Sequence, residues 1–342
     1  MTKQVILLVH GMGTHRPGEM TETFVSALND RARCFGLKEF DVAKEACLVA
    51  EFNYSERFDA VRKQFADNAA ARREGFGSLA GAGFAAELVT ELTALAAKFG
   101  NDDFLYTHWL DVLLYATTYY GAAIRAELAE TLNKLARKHG HGNIHVVGHS
   151  LGTAVVHDTL ASLYRDGANI FDNIPDYRPG NSNMKTLWMF ANVSGLVHLL
   201  NQLEDPMTST VAPGASGCTD YLFNVRHTLD PFTWFERYDR QMPYLEHIEN
   251  STVCNLNTHD LYEYVTAPNV AKRLLRFIFD RQIDKEPFNH CSAAYEKRSL
   301  KQGVTELKDA LEAVRDKPDL DTLNKAYHAF KVLTDTVEGG LA

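Results

Sequence analysis

A single serine between two glycines is the strongest chemical signal in the sequence. The stretch Gly148-His149-Ser150-Leu151-Gly152 follows a run of mostly β-branched residues and precedes an apolar pattern with helical spacing. Small residues around such a serine permit the strained strand-to-helix turn that holds a nucleophile outward. The following helix N-terminus favours developing negative charge. The stretch therefore predicts a nucleophile elbow in which Ser150 attacks an acyl group.

A second glycine-rich turn is the candidate for the oxyanion hole. A buried apolar run at residues 5–9 leads directly into His10-Gly11-Met12-Gly13. We expect the backbone N–H groups of Met12 and Leu151 to bind the oxyanion, with His10 in a structural role. A dinucleotide-binding loop is the competing interpretation, but Arg16 stands where that pattern requires its third glycine.

The order of residues along the chain selects the catalytic base. In folds that carry a serine on this kind of turn, the acid follows the serine and the histidine follows the acid. His259 comes after the last predicted strand and before the closing helix, where a loop can reach the serine. His227 precedes the best acid, and His290 lies beyond the closing helix. We therefore predict His259 as the base.

The acid is predicted from its position at a strand end. Asp230 comes just after a predicted strand and before a proline that fixes the turn. Asp205, which follows the preceding strand, is the rival, and Asp220 and Asp239 are weaker candidates. The strand-end position favours Asp230.

Strands and helices alternate along the chain, which predicts an α/β fold with a mostly parallel sheet and helices on both faces. The predicted strands are Val5–Val9, Cys47–Phe52, Ile144–Val147, Thr186–Val193, Tyr221–Arg226 and Thr252–Leu256. The predicted helices are Met20–Phe35, Arg57–Arg73, Phe104–Tyr120, Ala122–His139, Thr153–Leu163 and Asn269–Gln282.

Two segments depart from this alternation. Residues 75–120 begin with a Gly- and Ala-rich stretch whose apolar residues recur at helical spacing, and we predict a helical insertion there, either a lid or an extra core helix. Residues 284–342 carry two apolar stripes separated by Lys317-Pro318, which predicts a helical hairpin. The expected domains are thus a catalytic domain at 1–283 and a hairpin at 284–342.

Composition limits the classes of function. The 342 residues carry a formal net charge of -9 and no block of basic residues, which excludes a typical nucleic-acid-binding protein. Five scattered cysteines form no CxxC pair, so we expect free thiols in a reducing compartment, no metal site and a cytoplasmic location. The N-terminal apolar run is too short for a signal peptide.

Four stretches carry a resemblance to a known family. They read LLVHGMGTH, WLDVLLYATTYY, NIHVVGHSLGTAVVHDTL and NVRHTLDPFTW, all within residues 4–262. They resemble the α/β-hydrolase superfamily and, more narrowly, lipase-like serine hydrolases that include the intracellular DDHD-domain phospholipases and their bacterial relatives. The resemblance implies an α/β-hydrolase fold and cleavage of a carboxylic ester, in particular a lipid ester. The His-x-x-Asp-Pro pattern supports Asp230, whereas that group's further C-terminal Asp and His positions have no counterpart here.

These observations predict a serine hydrolase that uses a Ser-His-Asp triad and an acyl-enzyme, with no cofactor. The substrate is a small-molecule or lipid ester, with transient contact to a membrane surface in the lipid case. A small-ester carboxylesterase, a thioesterase or a peptidase would use the same residues. The alternative of another class is a non-catalytic scaffold whose residues 284–342 bind a second copy or another protein.

Overall fold

The computed structural model describes residues 3–13, 15–59, 111–165, 174–175, 177–233, 236–254 and 258–297, and six parallel strands form one sheet among them. The strands are β1 (Gln4–Val9), β2 (Cys47–Phe52), β3 (Ile144–His149), β4 (Met184–Phe190), β5 (Thr219–His227) and β6 (Leu245–Asn250). Their order is β2-β1-β3-β4-β5-β6. Because every neighbouring pair is parallel, all the carboxyl ends lie along one edge of the sheet.

Helices cover both faces of this sheet. They are α1 (Glu19–Cys34), α2 (Tyr119–His139), α3 (Leu151–Leu163), α4 (Ser194–Asn201), α5 (Leu261–Thr266), α6 (Pro268–Phe279) and α7 (Lys285–Lys297). Apolar side chains of α2, α3 and α4 pack on one face, and those of α1, α5, α6 and α7 pack on the other. Strand β1 serves both cores, because Leu7 and Val9 face the first core while Ile6 and Leu8 face the second.

The fold class predicted from the sequence is confirmed. Six parallel strands between two helical layers form an α/β-hydrolase fold, and five of the strands lie where the sequence predicted them, within a few residues at each end. The prediction of a strand at Thr252–Leu256 is wrong. The last strand is instead β6, and residues 251–254 after it have no regular structure.

Some predicted elements lie outside the described residues. They are residues 75–110 of the expected insertion, most of the expected helix at Arg57–Arg73, and residues 298–342 of the expected hairpin. The domain boundaries therefore stay predictions. In the described ranges, no helix combines the length and the apolarity that crossing a membrane would require.

The expectation that all five cysteines are free thiols is wrong. Cys34 at the end of α1 and Cys291 in α7 form a disulfide between residues 257 positions apart. No spacing motif in the sequence indicates this pair. The two helices, α1 and α7, come together only in the folded protein, where both pack on the same face of the sheet. Cys47 and Cys218 remain thiols, and burial raises their pKa values to about 11 and about 12.

Candidate active site

Ser150 occupies a strained turn at the carboxyl end of β3. Its backbone has φ 55° and ψ -128°, a conformation that non-glycine residues rarely adopt. The N–H of Ser150 donates to the Phe190 carbonyl at 2.9 Å, and its carbonyl accepts from the Thr153 N–H at 2.8 Å. Strain of this kind persists only where the surroundings fix it, and here β4 and α3 do so.

Two glycines permit the close packing of this turn. A Cβ atom on Gly152 would lie 2.3 Å from the Val9 carbonyl oxygen and 2.4 Å from that of His10. A Cβ atom on Gly11 would lie 2.6 Å from the Cβ of Ser150. The loop after β1 therefore runs directly against the serine, and Gly148 continues β3 in register with Val9.

The structure brings Ser150, His259 and Asp230 into one hydrogen-bonded line. His259 Nε2 lies 2.7 Å from Ser150 Oγ, and Nδ1 lies 2.8 Å from Asp230 Oδ2. With Asp230 accepting, Nδ1 carries the proton and Nε2 accepts from the serine hydroxyl. Asp230 is fully buried, and the three side chains come from the carboxyl ends of β3 and β5 and from the loop after β6.

Asp230 is held by two further donors. The Tyr264 hydroxyl donates to Oδ2 at 2.6 Å, and the Phe232 N–H donates to Oδ1 at 3.0 Å. Burial, and next the charge of Asp230, raise the pKa of the Tyr264 hydroxyl well above its usual value, so it remains a protonated donor. The carboxyl group is therefore fixed toward His259.

Two other histidines support this arrangement without reaching the serine hydroxyl. His149 Nε2 donates to the backbone carbonyl of His259 at 2.8 Å. His227 Nδ1 accepts from the Leu229 N–H at 3.1 Å and so braces the turn that presents Asp230. Burial lowers the pKa of His227, which keeps its imidazole neutral.

The rival acid and the remaining alternative base lie elsewhere. Asp205 caps a local turn by accepting from the Met207 N–H at 2.9 Å. His290 is an exposed residue of α7. Neither joins the line of three side chains.

Two hydrogen bonds to the Gly11 carbonyl anchor the loop after β1. His10 Nδ1 donates to the Gly11 carbonyl at 2.7 Å, and the Tyr54 hydroxyl donates to the same oxygen at 3.1 Å. In a trans peptide the carbonyl and the N–H point in opposite directions, so these bonds turn the Met12 N–H away from His10. The Leu151 N–H is the first amide of α3 and has no partner within its helix.

A cavity of about 220 Å³ opens beside these groups. Its wall includes Met12, Ser150 and His259, together with Glu19 and Met20 from the first turn of α1. The candidate nucleophile, the candidate base and the loop after β1 thus line one cavity, which can accommodate a small acyl or alcohol group.

A second network of the same residue types lies in the core between α3 and α4. His157 Nε2 is 3.0 Å from Ser209 Oγ, and His157 Nδ1 is 3.0 Å from Asp158 Oδ1. Asp158 Oδ2 also accepts from the Tyr115 hydroxyl at 2.9 Å and from the Asn201 amide at 3.0 Å. Ser209, His157 and Asp158 are all at most 3% exposed.

Sequence reasoning missed two tyrosines of the site. Tyr264 binds Asp230 from α5, a helix that the sequence did not predict, and Tyr54, just after β2, binds the loop that follows β1. Neither tyrosine belongs to a motif. Each lies near the site because the order of the strands in the sheet brings its segment there. Asp111 lies in one of the stretches that resemble a known family, but no sequence pattern indicated a role for it; its Oδ2 accepts from the Gly13 N–H at 2.7 Å.

Comparison with known families agrees with the observed fold. Residues 120–191 match the family described as alpha/beta hydrolase of unknown function (DUF900), a segment that runs from α2 through β4 and includes Ser150. No curated protein and no solved structure gives a significant match to the chain. The match supports the α/β-hydrolase superfamily and hydrolase activity, while the resemblance to DDHD-domain phospholipases stays a prediction.

Proposed function

We propose that this chain is a serine hydrolase that cleaves a carboxylic ester through Ser150, His259 and Asp230. The observation that carries the proposal is the continuous line of hydrogen bonds from Ser150 Oγ through the imidazole to Asp230, at 2.7 Å and 2.8 Å. These distances fall in the range over which a base removes a proton from a nucleophile. The strained backbone of Ser150 supports the proposal, since such strain concentrates at functional sites.

The proposed reaction proceeds in two halves. Ser150 Oγ attacks the ester carbonyl carbon while its proton passes to His259 Nε2. The carbonyl oxygen, now negative, accepts from the N–H groups of Met12 and Leu151. Nε2 returns the proton to the leaving alcohol, which gives an acyl-enzyme. Water then repeats the sequence, with His259 as its base, and releases the acid.

Asp230 has a defined task in both halves. Its carboxylate keeps the proton of the neutral imidazole on Nδ1, so that Nε2 can accept, and it stabilises the imidazolium that forms. Tyr264 and the Phe232 N–H leave the carboxylate little freedom to rotate away. His149 holds the backbone of His259 and so limits displacement of the base.

The substrate class has two candidates. The resemblance to lipase-like hydrolases favours a lipid ester, as predicted from the sequence. The cavity beside Ser150, at about 220 Å³, is smaller than the roughly 300–1,000 Å³ of typical drug-sized sites and favours a small ester. Hydrolysis rates for p-nitrophenyl esters from acetate to palmitate separate the two, because a lipase should prefer the long acyl groups.

Covalent labelling tests the proposed nucleophile. A fluorophosphonate probe should label the wild type, and Ser150→Ala should lose both the label and at least about 10³-fold of p-nitrophenyl ester hydrolysis. Ser209→Ala is the matched control, because Ser209 is also buried and bonded to a histidine. It should label like the wild type. Equal labelling of the wild type and Ser150→Ala would contradict the proposal, and an unlabelled, inactive wild type would favour the scaffold alternative.

A further inference from the structure

We propose that Asp111 is the positioning residue of the oxyanion loop, an inference that rests on the proposed function. Asp111 is 1% exposed and lies in a helical segment that is described over residues 111–117. Its Oδ2 accepts from the Gly13 N–H at 2.7 Å across 98 positions of sequence. Through this bond it fixes the peptide that follows the proposed oxyanion donor, Met12.

The peptide between Met12 and Gly13 is held at both of its polar ends. His15 Nε2 donates to the Met12 carbonyl at 2.8 Å, and the N–H of the same peptide, which belongs to Gly13, donates to Asp111. Gly13 has φ 91°, a conformation that glycine adopts readily, so the restriction on this peptide comes from its two hydrogen bonds. With this plane fixed, the Gly13 N–H points at Asp111 and is not available to an oxyanion.

The preceding peptide is fixed by its carbonyl alone. His10 Nδ1 and the Tyr54 hydroxyl bind the Gly11 carbonyl, and the Met12 N–H points the opposite way. Among the described residues, no backbone or side-chain acceptor for the Met12 N–H is observed. Two consecutive peptides are therefore oriented by side chains, and the donor between them stays available. Both peptides meet at the Cα of Met12, so fixing the second restricts the φ and ψ angles that Met12 can adopt.

The cost of burying a carboxylate supports a specific task for Asp111. Placing this group in an interior position costs several kcal/mol unless its oxygens accept hydrogen bonds. A negative charge near the site does not help a developing oxyanion, so any contribution of Asp111 to catalysis runs against its field and is assigned to the hydrogen bond from the Gly13 N–H. An amide oxygen at the same position should also accept the Gly13 N–H, whereas a methyl group has no acceptor.

Three variants test this assignment. In Asp111→Ala, kcat for a p-nitrophenyl ester should fall about 10- to 100-fold, with KM changed less than about twofold, because a misplaced oxyanion donor weakens only the transition state. Asp111→Asn should recover most of kcat, because its amide oxygen still accepts. Asp158→Ala is the matched control, since Asp158 is an equally buried carboxylate that bonds Tyr115 rather than the loop. It should lower the melting temperature and leave kcat unchanged.

Hydrogen exchange measures the loop without turnover. The peptide that contains residues 10–13 should exchange faster in Asp111→Ala than in the wild type, and at the wild-type rate in Asp158→Ala. The same measurement in a Ser150→Ala background separates loop anchoring from the proposed function, which the labelling experiment decides by itself.

Three results would overturn the assignment. The first is a kcat of Asp111→Ala within about twofold of the wild type. The second is equal impairment of Asp111→Asn and Asp111→Ala, which would assign the effect to charge. The third is an equal fall of kcat in Asp158→Ala, which would mean general destabilisation. If Asp111→Ala fails to fold, Asp111→Leu replaces it, because leucine has a similar volume and no acceptor. Unchanged kcat and unchanged loop exchange in Asp111→Leu would overturn the assignment, and impaired kcat with faster exchange would support it.

Discussion

The molecule contains two Ser–His–Asp networks with nearly the same hydrogen-bond geometry. In one, His259 bonds Ser150 and Asp230 at 2.7 Å and 2.8 Å. In the other, His157 bonds both Ser209 and Asp158 at 3.0 Å. Both histidines are buried, and in each network a buried tyrosine donates a further hydrogen bond to the acid. Residue types and distances alone therefore do not identify an active site.

The surroundings distinguish the two networks. Ser150 has a strained backbone, faces a cavity, and lies beside the loop of Met12 and the first amide of α3. Ser209 Oγ instead accepts from the Val211 N–H at 3.3 Å, and the Ser209 carbonyl accepts from Arg240 at 2.7 Å. The second network satisfies polar groups in the core, whereas the first lies at the wall of a cavity, as the proposed catalytic role requires.

The largest expected difference concerns the two histidines. His259→Ala should lower kcat/KM at least about 10³-fold, since the members of a triad act as a unit. His157→Ala should leave kcat/KM near the wild-type value but lower the free energy of unfolding by about 2–4 kcal/mol, because it opens a cavity and leaves Asp158 and Ser209 short of a partner. Ester hydrolysis and urea unfolding of both variants measure the two effects. A comparable loss of kcat/KM in both variants would break the distinction.

A smaller difference is expected from the two tyrosines. Tyr264→Phe removes a donor to Asp230 and should lower kcat about tenfold, because the acid then holds His259 less firmly. Tyr115→Phe removes the equivalent donor to Asp158 and should lower only stability, by about 1–2 kcal/mol. Stopped-flow or steady-state hydrolysis and thermal unfolding provide the measurements. Unchanged kcat in Tyr264→Phe would show that Asp230 is fixed well enough by its other donors.

The smallest expected effect concerns His145, another buried histidine. It makes the free energy of unfolding depend on pH, so the stabilities of the two networks must be compared at one pH. Burial, and then Lys185, lower the pKa of His145 from 6.5 to about 3. The unfolded chain therefore takes up a proton near pH 6.5 that the folded chain excludes, so stability is full above pH 6.5 and falls below it. Between pH 7 and 5.5 the wild type should lose about 1 kcal/mol more than His145→Gln. Urea titrations at both pH values would show parallel losses if His145 had no such effect.

The parallel sheet could be predicted from the sequence because its central strands consist mostly of apolar, β-branched residues. Val5–Val9 and Ile144–Val147 were predictable for this reason, and so was the turn after each of them. Strand β6 was not predictable in the same way. It lies at one edge of the sheet and reads Leu-Glu-His-Ile-Glu-Asn, with buried Ile248 among polar and charged residues. The β-branched residues after it favoured the wrong segment as the strand.

Chain order carried most of the information about the site. It placed Ser150, Asp230 and His259 in the sequence that a strand-end triad requires, and the three side chains meet in the structure. It could not indicate Tyr264 or Tyr54, because a single hydroxyl reaching another loop leaves no periodic or spacing signal. It selected His259 over His227 and His290 by position in the chain, and His259 does follow the last observed strand.

The link between Cys34 and Cys291 joins α1 to α7 across 257 residues, and strands β2 to β6 all lie within that span. Closing so large a loop restricts the unfolded chain by about 5 kcal/mol of entropy. It also means that one protease cut anywhere between the two half-cystines yields two fragments that stay covalently attached. Such a nicked molecule would migrate as intact protein on a gel until a reductant is added, so integrity checks on this chain need reducing conditions.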